Sequence, residues 1–177
     1  MKKTILAITL ILLATGAALD ARAQRADAHI RAIEKKYSEA QQTIAMGDEE
    51  EMARNMATLH IDQMWPGSGR HKEDVTLYFT LDDNEEGYTN VLYLAKHTYN
   101  VAAMEYELEY LFDESGAPLK CHAKGPDGEY TFYFAEGKLH KTLPKKNPDE
   151  FFTNADSIKR EASRIYRFFE AAIKQNH

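Results

Sequence analysis

The chain has 177 residues, with 28 acidic side chains against 22 Lys and Arg and a formal net charge of −6. That balance argues against a general nucleic-acid role, because gripping a phosphate backbone takes an excess of Lys and Arg. One cysteine excludes an intramolecular disulfide, so packing must hold the fold together.

The chain opens "MKKTILAITLILLATGAALDARAQ". Lys2 and Lys3 form a short positive segment, Thr4 to Leu19 is almost wholly apolar, and Ala21 and Ala23 are the small residues a signal peptidase reads. Residues 1–23 are therefore expected to be a signal peptide, cut before Gln24. The apolar run is ~16 residues, short of the ~20 needed to span a bilayer. No Cys follows it, which argues against a lipid anchor. The leader carries a net +2, so the mature chain 24–177 has 154 residues and a charge of −8. It is expected to be one periplasmic or secreted domain with no transmembrane span.

Residues 26–46 predict an amphipathic helix. Ile30, Ile33, Tyr37, Ala40 and Ile44 recur at helical spacing, and Gly47 is a natural stop. Asp48 and Glu51 resemble a capping pair for a second helix carrying Met52, Met56 and Leu59 and ending before Pro66. "WPGSGRHKED" then reads as a loop. It matches neither a phosphate-binding loop nor a nucleophile elbow, so Ser68 is not expected to be a nucleophile. From Val75 the period changes to two: Val75, Leu77, Phe79 and Leu81 alternate with polar residues, as in a half-buried strand.

"LDDNEEGYTNVLYL" starts like a calcium loop, with Asp82, Asn84, Glu86 and Gly87 at the first, third, fifth and sixth positions. The twelfth position needs a bidentate acid and holds Tyr93, and the flanks read as strands rather than helices. The stretch therefore predicts a hairpin turn. After it, "DESG", "GPDG" and "AEG" punctuate four more strands. Asn147, with Pro148, Asp149 and Glu150, starts a helical segment, and a last helix over about 155–175 carries Ile158, Ala162, Ile165, Phe169 and Ala172 on one stripe. The predicted fold is α+β: N-terminal helices, an antiparallel meander of about six strands, and a C-terminal helix packed on the sheet.

"YNVAAMEYELEYLFDESGAPLK" followed by "EYTFYFAEGKLHK" resembles a group of exported proteins of Bacteroidetes-type bacteria. These share an N-terminal helix and Y-x-F-x-x-G-x-L-like hairpins, and the resemblance covers roughly residues 26–145. It implies export and fold, and it carries no activity and no catalytic residue.

The residues themselves assign no catalytic group, metal or cofactor. The seven histidines show no ligand spacing, and neighbouring Cys121 and His122 point to opposite faces of a strand. Cys121 alternates with Leu119 and Ala123, so it is expected to be buried and inert, despite His97 and His140 as conceivable bases.

Three features are candidates for partner binding. Glu105, Glu107 and Glu109 share one strand face, and a four-residue "DESG" turn sets them opposite Lys124, His122 and Lys120 respectively. Lysines opposite them would hold their pKa values down, which disfavours acid–base catalysis. Arg160, Arg164, Arg167 and Lys174 form a basic ridge on the last helix, suited to an anionic partner. Leu111, Tyr133 and Leu139 fall on one side of the sheet, with Tyr133 opposite Leu139, and form an apolar patch. The expectation is an exported domain that binds an unidentified protein or envelope component without catalysis. The alternative is a small periplasmic hydrolase with a site assembled from loops.

Overall fold

The computed structural model describes residues 24, 26–47, 55–67, 69–84, 87–126, 128–145 and 154–174. The expected leader, Ser68, Glu85, Glu86 and the segment from Asn147 to Glu150 lie outside them. The chain divides into two compact units, 1–39 and 40–177. Helix α1, residues 26–47, begins in the first unit and ends in the second.

The second unit is built on a seven-stranded antiparallel sheet whose strands follow one another in chain order. They are β1 (Met56–Trp65), β2 (Gly69–Asn84), β3 (Gly87–Val101), β4 (Met104–Phe112), β5 (Pro118–Gly125), β6 (Gly128–Ala135) and β7 (Lys138–Leu143). Helix α2 (Ala155–Phe169) continues into a π-helical turn (Glu170–Lys174) and packs on one sheet face. Among the described residues, no helix is long and apolar enough to cross a membrane. The α+β meander is thus the architecture expected, with one strand more.

That extra strand is a correction. Met56 to Trp65 was expected to be helical, yet it is β1, paired along its whole length with β2. Its inward positions are Ala57, Leu59 and Ile61, half-buried at a period of two, between exposed Met56, Thr58 (partly covered neighbours aside) and His60. Spacing of Met52, Met56 and Leu59 mimicked a helical stripe, but ladder bonds to a 16-residue β2 decide the conformation. The expected loop "WPGSGRHKED" is correspondingly short: Trp65 already pairs with Gly69, whose φ of 85° suits a residue without Cβ.

The calcium-like stretch closes the β2–β3 hairpin, with Asn84 paired to Gly87 and strands on both sides. The "DESG" and "AEG" hairpins fold in a register different from the expected one. At "DESG" the Asp113 carboxylate accepts hydrogen bonds from Ser115 N (2.9 Å), Ser115 Oγ (2.6 Å) and Ala117 N (2.9 Å). Asp113 therefore pairs with Ala117, Gly116 turns at φ 83°, and a bulge follows at Leu111/Phe112. Glu109 ends opposite His122, Glu107 opposite Lys124, and Leu111 opposite Lys120. At "AEG", Glu136 and Gly137 both take left-handed φ (51° and 69°), making a two-residue turn of type I′. Phe134 rather than Tyr133 then faces Leu139.

The core lies between the sheet and α2. Ile158, Ala162, Ile165 and Phe169 from the helix meet Leu77, Tyr110, Cys121, Phe132 and Phe134 from the strands. The expected stripe is confirmed up to Phe169, whereas Ala172 is exposed. Asn154 caps α2: its Oδ1 accepts from Ser157 N at 3.0 Å.

Candidate functional site

Alternation along β2 and β3 fixes which side chains face α2. Val75 and Leu77 point at the helix, so Glu73 and His71, two and four residues earlier, point the same way. Val75 pairs with His97 and Glu73 with Tyr99, which brings both of these residues to the same face. The core's apolar filling stops at this edge, and polar side chains replace it.

His97 is 2% exposed and Glu73 7%. His97 Nε2 lies 3.2 Å from Glu73 Oε1, and its Nδ1 lies 3.4 Å from Glu161 Oε1 on α2. Neither contact is aligned as a hydrogen bond, so among the described residues both buried ring nitrogens lack a proper partner. Arg164 reaches in from the next turn of α2. Its Nε donates to Glu161 Oε1 at 2.9 Å, and one terminal nitrogen bonds both Glu161 and Glu73. His71 stands beside them. Its Nδ1 lies 2.8 Å from the Asn100 carbonyl, which can only accept, so Nδ1 carries the proton and Nε2 faces Glu73 Oε2 at 3.6 Å. Asn100 holds the strand ends in place by donating to the carbonyls of Arg70 and Ala102, both at 2.8 Å.

Charge organises this cluster. Burial pushes the Glu73 carboxyl up, but the neighbouring His97 ring and the Arg164 guanidinium outweigh burial and hold it at about 2. Burial likewise opposes the charge on Arg164, and its two glutamate partners overcome that and raise its pKa further. Ligand atoms of Glu73, His97 and Glu161 all lie within 4.8 Å of one another, so these three could hold a metal ion.

The cluster forms one wall of a pocket of about 500 Å³. Trp65 stacks on His71 with centroids 4.1 Å apart, and His97 stacks on Tyr99 at 4.7 Å. Val101 and Leu108 add apolar surface, and Arg160 and Arg167 of α2 complete the lining. Arg160 donates to Ser157 Oγ at 3.1 Å and Arg167 to the Ser163 carbonyl at 3.3 Å. Among the described residues, Arg167 has no carboxylate partner.

The sequence-derived candidates fare unequally. The three arginines do share a face of α2, but Arg164 is folded into the cluster while Arg160 and Arg167 line the pocket. Glu105 and Glu107 are exposed and Glu109 is half-buried. Glu107 meets Lys124 at 3.4 Å and Glu109 meets Lys96 at 3.6 Å, so the pairs expected from the four-residue turn do not form. Leu111 and Tyr133 are buried, at 3% and 5% exposure, and Leu139 is 40% exposed, so the three do not make one exposed patch. On the face of Leu111 and Tyr133, Gln41 Nε2 donates to Glu109 Oε1 at 2.5 Å. Cys121 is fully buried, and burial pushes its thiol well above the usual range.

Sequence reasoning missed Glu73, His97, Glu161 and His71 as a group. The one available signal was a charge in a period-two apolar strand: Glu73 sits in phase with Val75 and Leu77. Comparison with protein-family models, with characterised proteins and with solved structures gives no match to this chain.

Proposed function

We propose that this protein is an exported, non-enzymatic binding protein, periplasmic or secreted, and that its binding site is the pocket between Trp65 and the arginine edge of α2. The observation that carries this reading is the pocket's lining. The stacked Trp65 and His71 line the same pocket as Arg160 and Arg167, and Arg167 has no acidic partner among the described residues. Such a site suits a small ligand from the envelope or its surroundings that joins a flat apolar part to a carboxylate or phosphate. The flat part rests on Trp65, and the anion meets the guanidinium groups, whose planar fork matches it.

Binding is preferred to catalysis on chemical grounds. A general acid needs a raised pKa, whereas Glu73 is held at about 2. Cys121, the one thiol, is enclosed in the core rather than in the pocket. The leader-like first 23 residues and the resemblance to exported Bacteroidetes-type proteins support a location outside the cytoplasm. Intact mass of the exported protein, with Gln24 as its first residue, is the check on that part.

Trp65 is the only tryptophan in the chain, so intrinsic fluorescence reports on the pocket directly. Titration with benzoate, phenyl phosphate, glucuronate and a sugar phosphate should give saturable change for at least one aromatic anion. Arg167→Glu should abolish it. If no anion alters Trp65 emission at millimolar concentration, the reading fails.

A further inference from the structure

With His97 neutral, the buried cluster behind the pocket carries an imbalance that its own side chains do not correct. Glu73 and Glu161 present two carboxylates, and Arg164 supplies one positive charge. Between them stands His97, with a carboxylate oxygen near each ring nitrogen and an aligned hydrogen bond to neither. A neutral imidazole has one N–H and one lone pair, and carboxylates only accept. Whichever nitrogen carries the proton, the other aims a lone pair at an anion in a buried setting, where such a contact is costly.

A divalent cation resolves both problems together. It takes the lone pair, and it neutralises two carboxylates where a guanidinium neutralises one. The dimensions are close to those required. Two ligands of one ion at ~2.1 Å bonds are at most ~4.2 Å apart, and the three ligand atoms here lie within 4.8 Å of one another. Glu161 has the freedom to close the difference, since its side chain is a quarter exposed, while His97 and Glu73 are held in the sheet. Arg164 is able to leave, because its side chain is 42% exposed and turns to solvent from the surface of α2.

We infer that Glu73, His97 and Glu161 bind one divalent transition-metal ion of the Zn²⁺ class, with Arg164 as the internal cation that the metal displaces. An imidazole with two carboxylates suits Zn²⁺, Mn²⁺ or Fe²⁺. An all-oxygen preference sets Ca²⁺ and Mg²⁺ apart, and no thiolate is present for softer ions. His71 backs the site: with its Nδ1–H fixed on the Asn100 carbonyl, it turns Nε2 to the second oxygen of Glu73. The inference does not depend on the anionic-ligand reading, because metal uptake is measured without any organic ligand.

The test is equilibrium dialysis of the chelator-stripped protein with Zn²⁺, and Co²⁺ absorption as a report on the ligand set. One ion per chain is expected. Glu161→Gln and His97→Gln should each weaken uptake by about 10–100-fold or more, and Arg164→Gln should tighten it. His60→Ala should leave it unchanged, since His60 and Asp74 form a separate exposed pair at 2.5 Å on the β1–β2 ladder. If His97→Gln does not fold by circular dichroism, Glu161→Gln decides. No uptake by either the wild type or Arg164→Gln at millimolar Zn²⁺ overturns the inference. So does uptake that survives Glu161→Gln or disappears with His60→Ala. Failure of the fluorescence titration above with successful metal uptake would remove the ligand reading alone.

Discussion

Helix α2 covers two regions of the same sheet face, and they are held by different physics. Toward one side, Ile158, Ala162, Ile165 and Phe169 press on Tyr110, Cys121 and Phe132, all essentially out of contact with water. Toward the other, Glu161 and Arg164 of the same helix meet Glu73 and His97. In the first region stability scales with apolar area and shape, and a substitution is felt through volume. In the second it depends on every charge keeping its counterpart, because desolvated charges are costly alone and nearly neutral when matched. A single helix thus carries a structural half and a half whose strict charge requirement makes it the place to look for ligands.

The largest expected effect lies in the packed half. Phe132→Ala should cost about 3–5 kcal/mol, read from urea unfolding, since the ring is fully buried among core side chains. A loss under about 1 kcal/mol would show that this half is not close-packed and would erase the contrast.

Arg164→Ala strikes the charged half. It leaves Glu73 buried without its guanidinium partner, and the half-exposed position of Arg164 tempers the loss to about 1–3 kcal/mol. Glu73→Gln combined with Arg164→Ala should recover part of that loss, because the deeply buried carboxylate is then gone and only the partly exposed Glu161 is left without the guanidinium. Full additivity in the double-mutant cycle would mean that the two residues do not act as a pair.

Acid should separate the halves. The Glu73 carboxyl is held at about 2 against an ordinary value of 4.5. Its folded pKa is depressed, so its contribution is complete above about pH 4.5 and is lost as pH falls through about 2. Between those values, wild-type stability should fall more steeply than that of Glu73→Gln, while Phe132→Ala should keep the wild-type slope. Equal slopes for the wild type and Glu73→Gln would remove Glu73 from the account.

The smallest effect is expected at Tyr110, in the packed half. Among the described residues its buried hydroxyl lacks an aligned hydrogen-bond partner, and the weakly bonding Cys121 thiol stands near it. Tyr110→Phe should therefore be neutral or stabilising by up to about 1 kcal/mol in thermal unfolding. A clear loss of stability would mean that polar contacts matter in this half as well.

Much of the architecture is legible from residue order. Turn-forming "DESG", "GPDG" and "AEG" separate strands that alternate, and Ile158, Ala162, Ile165 and Phe169 announce the buried stripe of α2. These signals are local, because a turn needs a few residues of permissive φ and an amphipathic helix repeats within a few turns. The fate of Met56–Trp65 was not local. Its helical spacing and its strand spacing coexist in the same letters, and pairing with β2 chose between them.

Register and the site lie further from the sequence. A tighter turn, with Asp113 paired to Ala117, and a bulge at Leu111/Phe112 each shifted the register by one residue and together moved each glutamate of β4 to a different partner, since every cross-strand pair beyond an added residue shifts with it. Composition and period by themselves determined an acidic α+β chain with a disulfide-free core. Only the tertiary structure brought residues 73, 97 and 161 within reach of one another. Three side chains from two strands and a distant helix leave no spacing to read, because their proximity is a product of sheet pairing and of the packing of α2, not of the chain that connects them.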